Sequence, residues 1–323
     1  MSELTRVYGL TVRSEIPLHV RRPAPVVAPV DLELVLGAPA VRTDAMPPGR
    51  VLLDLRGNTH YYAATAVDDG FRLRFFGSCD VELDPGLTRA TVHPAPGLDP
   101  DLLSVLVSGT LLAFVLAMRG KPVLHASAVE VDGAALAFVG ASGMGKSTMA
   151  TLLCADGARL VTDDVLLLDT TASPPTCSLG ATELRLRKGA DDLSERFAHA
   201  GSAPQLRTTG DARQALAAVP ATTEDLPLAA LVVPVPDRSP ERHTTEITRL
   251  SPTEALLILS RFPRLLGWQD ASVRRTAFHH LADVADRVPV HAAVLPWGPP
   301  FPETLAADVL HATGLRAEQC AGV

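Results

Sequence analysis

The chain has 323 residues, 47% hydrophobic but only 4% aromatic, with 27 prolines; it exceeds a common domain of about 100 to 200 residues and describes a globular protein built on Leu, Val and Ala. A formal charge of −7 argues against a general attraction to nucleic acid or anionic lipid, so any phosphate site has to be local. Cys79, Cys154, Cys177 and Cys320 lie far apart without CxxC spacing, which points away from a zinc site or disulfide framework and toward a reducing cytoplasm.

The opening MSELTRVYGL lacks the basic and apolar regions of a signal peptide. Up to about residue 95 the chain reads as short strands separated by turns: VDLELVLG, RVLLDLRG, HYYAATAV and FRLRFFG are rich in β-branched and aromatic residues, with Asp-Asp-Gly and Pro-Gly punctuation. This predicts an antiparallel, β-rich amino-terminal domain over residues 1–98. The proline-rich HPAPGLDP at 93–100 forms its boundary. Residues 99–323 then form the second domain. It opens on LLSVLVSGTLLAFVLAM at 102–118, which is a little short for a membrane span and is interrupted by Ser and Gly. A buried helix is expected, with Asp99 as N-cap and Pro100 in its first turn; no membrane partner is implied.

VLHASAVEV and ALAFVG flank Asp132-Gly133, the dipeptide that best suits a two-residue hairpin. The strand that feeds the following glycine loop is therefore expected to be paired antiparallel with its predecessor, giving an α/β (α+β) domain with a mixed sheet. A helix from Lys146 to about Ala155 leads to the strands ARLVTDD and VLLLD. Residues 200–225 read as a loop or short excursion. A capping box (Ser251, Pro252, Glu254) starts a helix, and further helices at 271–287 and 302–313 bracket the strand PVHAAV and the stiff turn LPWGPPFP.

The segment GASGMGKS, from Gly140 through Ala141, Ser142, Gly143, Met144, Gly145 and Lys146 to Ser147, followed by Thr148, matches G-x-x-x-x-G-K-[ST] between an apolar strand and a helix. Glycines let successive backbone N–H groups curl around a polyphosphate, and the helix N-terminus adds positive potential. Lys146 would meet the β- and γ-phosphates, and the Ser147 hydroxyl would ligate Mg²⁺. The motif specifies a nucleotide, not a reaction. Asp163 and Asp164 follow at the tip of an apolar strand, where alternation would direct one carboxylate to the metal and the other to an acceptor. His125 ends near the loop on the hairpin partner. In TELRLRK, alternation places Glu183, Arg185 and Arg187 on one face, a combination suited to metal and phosphate charge.

Together, LHASAVEVDGAALAFVGASGMGKSTMATLLCADGARLVTDDV resembles the catalytic core of the HPr kinase/phosphorylase superfamily, which is related to ATP-dependent phosphoenolpyruvate carboxykinases. The resemblance is strong over 120–190, and the first 95 residues are closer to HPr-kinase-related proteins of peptide and natural-product gene clusters. It implies Asp163 as catalytic base, Asp164 as the acidic residue near the metal, Ser147 as magnesium ligand, Glu183 as the acidic residue of an LEIRG-like segment, and His125 as the histidine near the phosphates. The chain departs from the bacterial regulatory enzyme in having His125-Ala126 for its HG pair and RLRKGA after the glutamate. Arg238 and Arg242 lie where its downstream arginine would fall.

The resulting expectation is a cytoplasmic, ATP- and Mg²⁺-dependent kinase with Asp163, Lys146 and His125 as catalytic residues and Ser147, Asp164 and Glu183 at the metal. The acceptor would be a hydroxyl on a peptide, such as the serine of a lasso-peptide precursor, or on a small metabolite. A homo-oligomer fits the resemblance. The alternatives are a nucleotide-binding regulatory module with little or no transfer, and carboxykinase chemistry, for which no convincing upstream metal set is present.

Overall fold

A computed structural model describes residues 2–25, 27–41, 44–187, 193, 206–239, 241 and 244–316. The chain divides into two compact units, 1–121 with 265–277, and 122–264 with 278–323. The division falls at Lys121/Pro122 rather than 98/99, so the apolar helix belongs to the first unit.

Among the described residues the first unit holds an eight-stranded sheet: β1 (Glu3–Val7), β2 (Leu10–Ser14), β3 (Leu32–Leu36), β4 (Arg50–Arg56), β5 (His60–Val67), β6 (Gly70–Phe75), β7 (Cys79–Leu83) and β8 (Arg89–Pro94), in the order β1-β2-β3-β8-β7-β6-β5-β4. The sheet is mixed, which corrects the antiparallel expectation: β3 runs parallel to both β2 and β8. The connection from Ser14 to Leu32 is far longer than a hairpin turn and is rich in proline, so the chain can re-enter the sheet in the same direction.

Helix α1 (Pro100–Met118) is apolar and long enough to cross a bilayer, yet 61% of its apolar 18-residue stretch is buried inside the structure. Asp99 caps it by accepting from the Asp101 N–H at 2.9 Å. Its serines are satisfied within the helix, because Ser104 Oγ donates to the Pro100 carbonyl at 3.0 Å and Ser108 Oγ to the Ser104 carbonyl at 2.8 Å. Leu106–Leu111 widens into a π-turn there. The helix stops at Gly120 (φ 72°), where the Gly120 and Lys121 N–H groups donate to the Ala117 and Leu116 carbonyls. Phe114 is fully buried between Phe71 and Trp268.

The second unit carries β9 (Val123–Leu124), β10 (Ala126–Val131), β11 (Ala134–Val139), β12 (Arg159–Thr162), β13 (Leu166–Asp169), β14 (Thr176–Cys177), β15 (Glu183–Leu186), β16 (Leu206–Thr208), β17 (Gln214–Ala217), β18 (Leu226–Asp237), β19 (Glu246–Arg249) and β20 (Val290–Pro296). The main sheet runs β12-β10-β11-β18-β14-β13-β9, with β20 and β19 beyond β18; β15, β17 and β16 form a smaller sheet. β10 and β11 pair antiparallel through Asp132-Gly133, whose φ angles of 51° and 72° are those of the expected hairpin turn. β11–β18 and β18–β20 are parallel, so this sheet is mixed as expected. Leu206–Thr208 and Gln214–Ala217 are strands where a loop is expected: polar Ala- and Thr-rich sequence conceals them, and pairing with β15 supplies the order.

Helix α2 (Lys146–Ala155) follows β11 through the glycine loop. Helix α3 (Pro252–Leu259) begins at the expected capping box of Ser251 and Glu254. α4 (Ala271–Arg287) contributes Ala271–Ala277 to the first unit and the rest to the second, and α5 (Leu305–Thr313) closes the described chain. Two apolar clusters fill the second unit, one with Phe138, Met149, Leu152 and Leu153 and the other with Val139, Val161, Leu231 and Val290. Adjacent residues Phe138 and Val139 of β11 therefore face different clusters, as the pleat requires, and the glycine loop springs from a strand buried on both sides. Truncating Phe138 to Ala should cost about 3 to 5 kcal/mol, read as a lower denaturant midpoint for the second unit; a loss under about 1 kcal/mol would mean that this strand is not a central support.

Candidate functional site

The loop between β11 and α2 turns twice through the left-handed region, at Gly143 (φ 89°) and Gly145 (φ 88°). Only glycine adopts these angles without strain. Lys146 is 6% exposed and curls back, its Nζ donating to the Ala141 carbonyl at 3.0 Å. Burial lowers its pKa to about 8, against the opposing pull of Asp163 and Asp164. Arg187 Nη2 donates to Ser142 Oγ at 2.7 Å, so β15's continuation braces the outer side of the loop.

β12 ends at Thr162, and its two aspartates lie beyond it. Their separation comes from a turn and not from strand alternation. Asp164 has φ 74°, and Thr162 Oγ1 closes the bend by donating to the Val165 carbonyl at 2.6 Å. Asp163 is 3% exposed: its Oδ1 accepts from Ser127 Oγ at 2.5 Å and from Ser147 Oγ at 2.8 Å, and its Oδ2 from the Arg185 N–H at 2.9 Å. Asp164 sits among cations: its Oδ2 accepts from Arg185 Nη2 and from Arg264 Nη2, each at 2.7 Å, and its Oδ1 lies 3.3 Å from His125 Nε2. Burial alone would raise its pKa, but Arg264 and Arg185, then His125, hold it well below the ordinary carboxylate value. Burial draws His125 below its ordinary value, more than the hydrogen bond with Asp164 raises it.

These groups share a cavity of about 470 Å³ lined by His125, the loop residues Ser142, Gly143 and Gly145–Thr148, both aspartates, Arg185, Arg187, Arg213, Arg238 and apolar residues that include Trp297 and Phe301. Gly140, Ala141 and Met144, expected in the site, are not part of the lining, and the Ala141 N–H donates to Met144 Sδ, which packs against the core. Five cationic side chains (Lys146, Arg185, Arg187, Arg213, Arg238) meet two carboxylates in its lining, an excess suited to a polyphosphate. The structure thus brings together His125, the glycine loop, Asp163, Asp164, Arg185 and Arg187. Glu183 is placed elsewhere: it faces the same side of β15, but its Oε2 accepts from Arg207 Nη2 at 2.8 Å, and it is absent from the cavity lining. Arg242 lies outside the described residues, whereas Arg238 lines the cavity.

Sequence reasoning missed Ser127, Arg213, Arg264 and Trp297. Ser127 carried a readable signal as a polar residue within the apolar strand β10, whereas His125 sits not on the hairpin strand but at the bend between β9 and β10. Arg264 and Trp297 reach the site only through long-range folding, and no local spacing marks them.

Among the described residues no cluster of three or more His, Cys, Asp or Glu side chains forms a metal cage. A magnesium ion that travels with nucleotide phosphates needs only one or two protein ligands. Ser147 Oγ and Asp163 Oδ1, 2.8 Å apart beside the loop, fit that requirement.

No protein-family model matches the chain. No curated protein matches it either. Among solved structures it is similar to the HPr(Ser) kinase/phosphatase from Coxiella burnetii, at 15% identity over 60% of this chain and 99% of that chain, with a TM-score of 0.30. A likeness this loose carries no weight beside the site geometry.

Proposed function

We propose that the second unit binds ATP with Mg²⁺ in this cavity and transfers the γ-phosphoryl group to an alcohol hydroxyl. The observation that carries this reading is the contact between Asp163 and Ser147, immediately after Lys146 at the head of α2. It couples a buried carboxylate to the hydroxyl that follows a phosphate-loop lysine, the pairing that holds Mg²⁺ in phosphate-loop nucleotide enzymes. Lys146 and the loop amides neutralise the triphosphate. Ser147, with Asp163 behind it, would hold the Mg²⁺, which when bound neutralises charge on the β- and γ-oxygens.

Asp164 then faces the acceptor. The geometry favours this reversal of the roles expected from the sequence, because Asp163 is committed to three donors and almost sealed from solvent, whereas Asp164 keeps part of its surface in the cavity. Its depressed pKa makes it a weak base. In a loose phosphoryl-transfer transition state the hydroxyl loses its proton late, so an orienting carboxylate is sufficient. Arg185, Arg264 and His125 fix that carboxylate, and the guanidiniums add positive charge beside the transferred group. Acceptors that fit are a serine side chain of a peptide or a hydroxyl on a small metabolite. A regulatory module that binds nucleotide without transfer is the second reading, favoured by the two guanidiniums that already engage Asp164.

Label from γ-labelled ATP should appear on a hydroxyl acceptor in a panel of peptides and metabolites; release as free phosphate alone would favour the regulatory module. Asp164→Asn, which removes the orienting charge, should lower turnover by about 10²-fold with ATP affinity nearly unchanged, while Asp163→Asn should raise the Mg²⁺ concentration needed for half-maximal activity. Retained turnover in Asp164→Asn, with loss in Asp163→Asn that no Mg²⁺ concentration restores, would return the base to Asp163.

A bound triphosphate favours the charged form of Lys146, so above its free value of about 8 binding has to take up a proton. ATP affinity should therefore fall as pH rises through that value, by up to about tenfold per pH unit. Calorimetry in buffers of different ionisation enthalpy reads the proton directly; affinity that stays flat between about pH 7 and 9 would show that Lys146 is fully charged before ATP arrives.

A further inference from the structure

The cavity that holds the phosphate loop has a second chemistry in its lining, the apolar residues Leu186, Trp297, Pro299 and Phe301. Trp297 follows directly on β20 and is fixed in two ways. Its main-chain N–H donates to the Asp237 carbonyl at 2.9 Å, and its indole meets the Phe301 ring edge-to-face at 5.2 Å and 90°. The indole is seated against the phosphate loop itself: a Cβ built on Gly145 would fall 2.1 Å from its Cη2, 2.6 Å from Cζ2 and 3.0 Å from Cζ3. Gly145 is thus required both for its positive φ and because Trp297 occupies the space a side chain would need. The contact atoms all belong to the six-membered ring, and Trp297 is only partly buried, so part of the indole stays open to the cavity it lines.

A fixed, partly exposed aromatic plane beside a ring of cations matches a ligand that is planar and aromatic at one end and polyanionic at the other. We propose that Trp297 is the stacking platform for the nucleobase, that Phe301 holds its plane, and that this apolar lining makes the site select a purine nucleotide over a bare polyphosphate. This rests on the reading of the cavity as a nucleotide site. An apolar group of the acceptor is the competing occupant. The base is favoured because the indole abuts the last glycine before Lys146, on the loop that grips the nucleotide.

The test compares binding of ATP and of inorganic tripolyphosphate, each with Mg²⁺, by calorimetry on the full chain. Trp297→Ala should weaken ATP by about tenfold or more and leave tripolyphosphate within about twofold of wild type. Because removing the indole also opens the apolar lining, Trp297→Phe and Trp297→Leu serve as a matched pair: the phenylalanine should retain most of the ATP affinity and the leucine should lose it. Unchanged ATP affinity in Trp297→Ala would assign the apolar lining to the acceptor and overturn the proposal. Equal weakening of both ligands would also overturn it, by showing that Trp297 only props the loop. Failure of wild type to bind either ligand would instead remove the nucleotide reading, and this inference with it.

Discussion

The Asp163 carboxylate accepts hydrogen bonds from Ser127 on β10, from Ser147 at the start of α2 and from the Arg185 N–H on β15. One buried anion therefore joins the hairpin, the helix that follows the glycine loop and the smaller sheet. In a low-dielectric interior such a group is tolerated only with its lone pairs satisfied, so its three donors are held as firmly as it is. Three of the elements around the phosphate cradle are tied together by that knot. Ser147 is aimed at the cavity, and β15 is pinned at the residue whose guanidinium reaches Asp164.

The second aspartate works under the opposite condition. Asp164 is neutralised by Arg185 and Arg264 and touches His125, and its left-handed backbone turns it away from the direction of Asp163. A non-glycine residue in that region costs about 1 to 3 kcal/mol and is retained where the surroundings over-determine it. Here the two arginine contacts and the bend closed by Thr162 supply the restraint. Adjacent carboxylates are thereby given different environments, one among hydroxyls and a main-chain amide, the other among cations, and such divergence allows neighbouring acids to take separate tasks.

Much of this was legible in the sequence because it depends on local chemistry. The glycine loop, the Asp-Gly hairpin, the capping box at Ser251 and the extent of α2 are set by φ preferences and near-neighbour hydrogen bonds. In TELRLRK, Glu183 and Arg185 do alternate with buried Leu184 and Leu186 on β15 while Arg187 lies beyond the strand, and alternation did not reveal that Glu183 would be drawn to Arg207, brought up from outside the segment. The parallel pairs around β3 were illegible for a similar reason, since strand direction is decided by where a long connection returns. Arg264 and Trp297 enter the site from positions about 100 residues or more beyond the loop. Their roles exist only in the folded chain.

The claim that Ser147 lies at the metal beside the triphosphate is tested most directly by replacing its hydroxyl with a thiol. ATP affinity of Ser147→Cys, measured in Mg²⁺ and again in thiophilic Cd²⁺, reports whether that side chain ligates the ion, because hard Mg²⁺ prefers oxygen and softer metals accept sulfur. The account expects affinity to be lost in Mg²⁺ and largely restored in Cd²⁺, with wild type showing no such gain. Equal affinity of the variant and wild type in both metals would contradict it, since Ser147 would then have no part in holding the nucleotide.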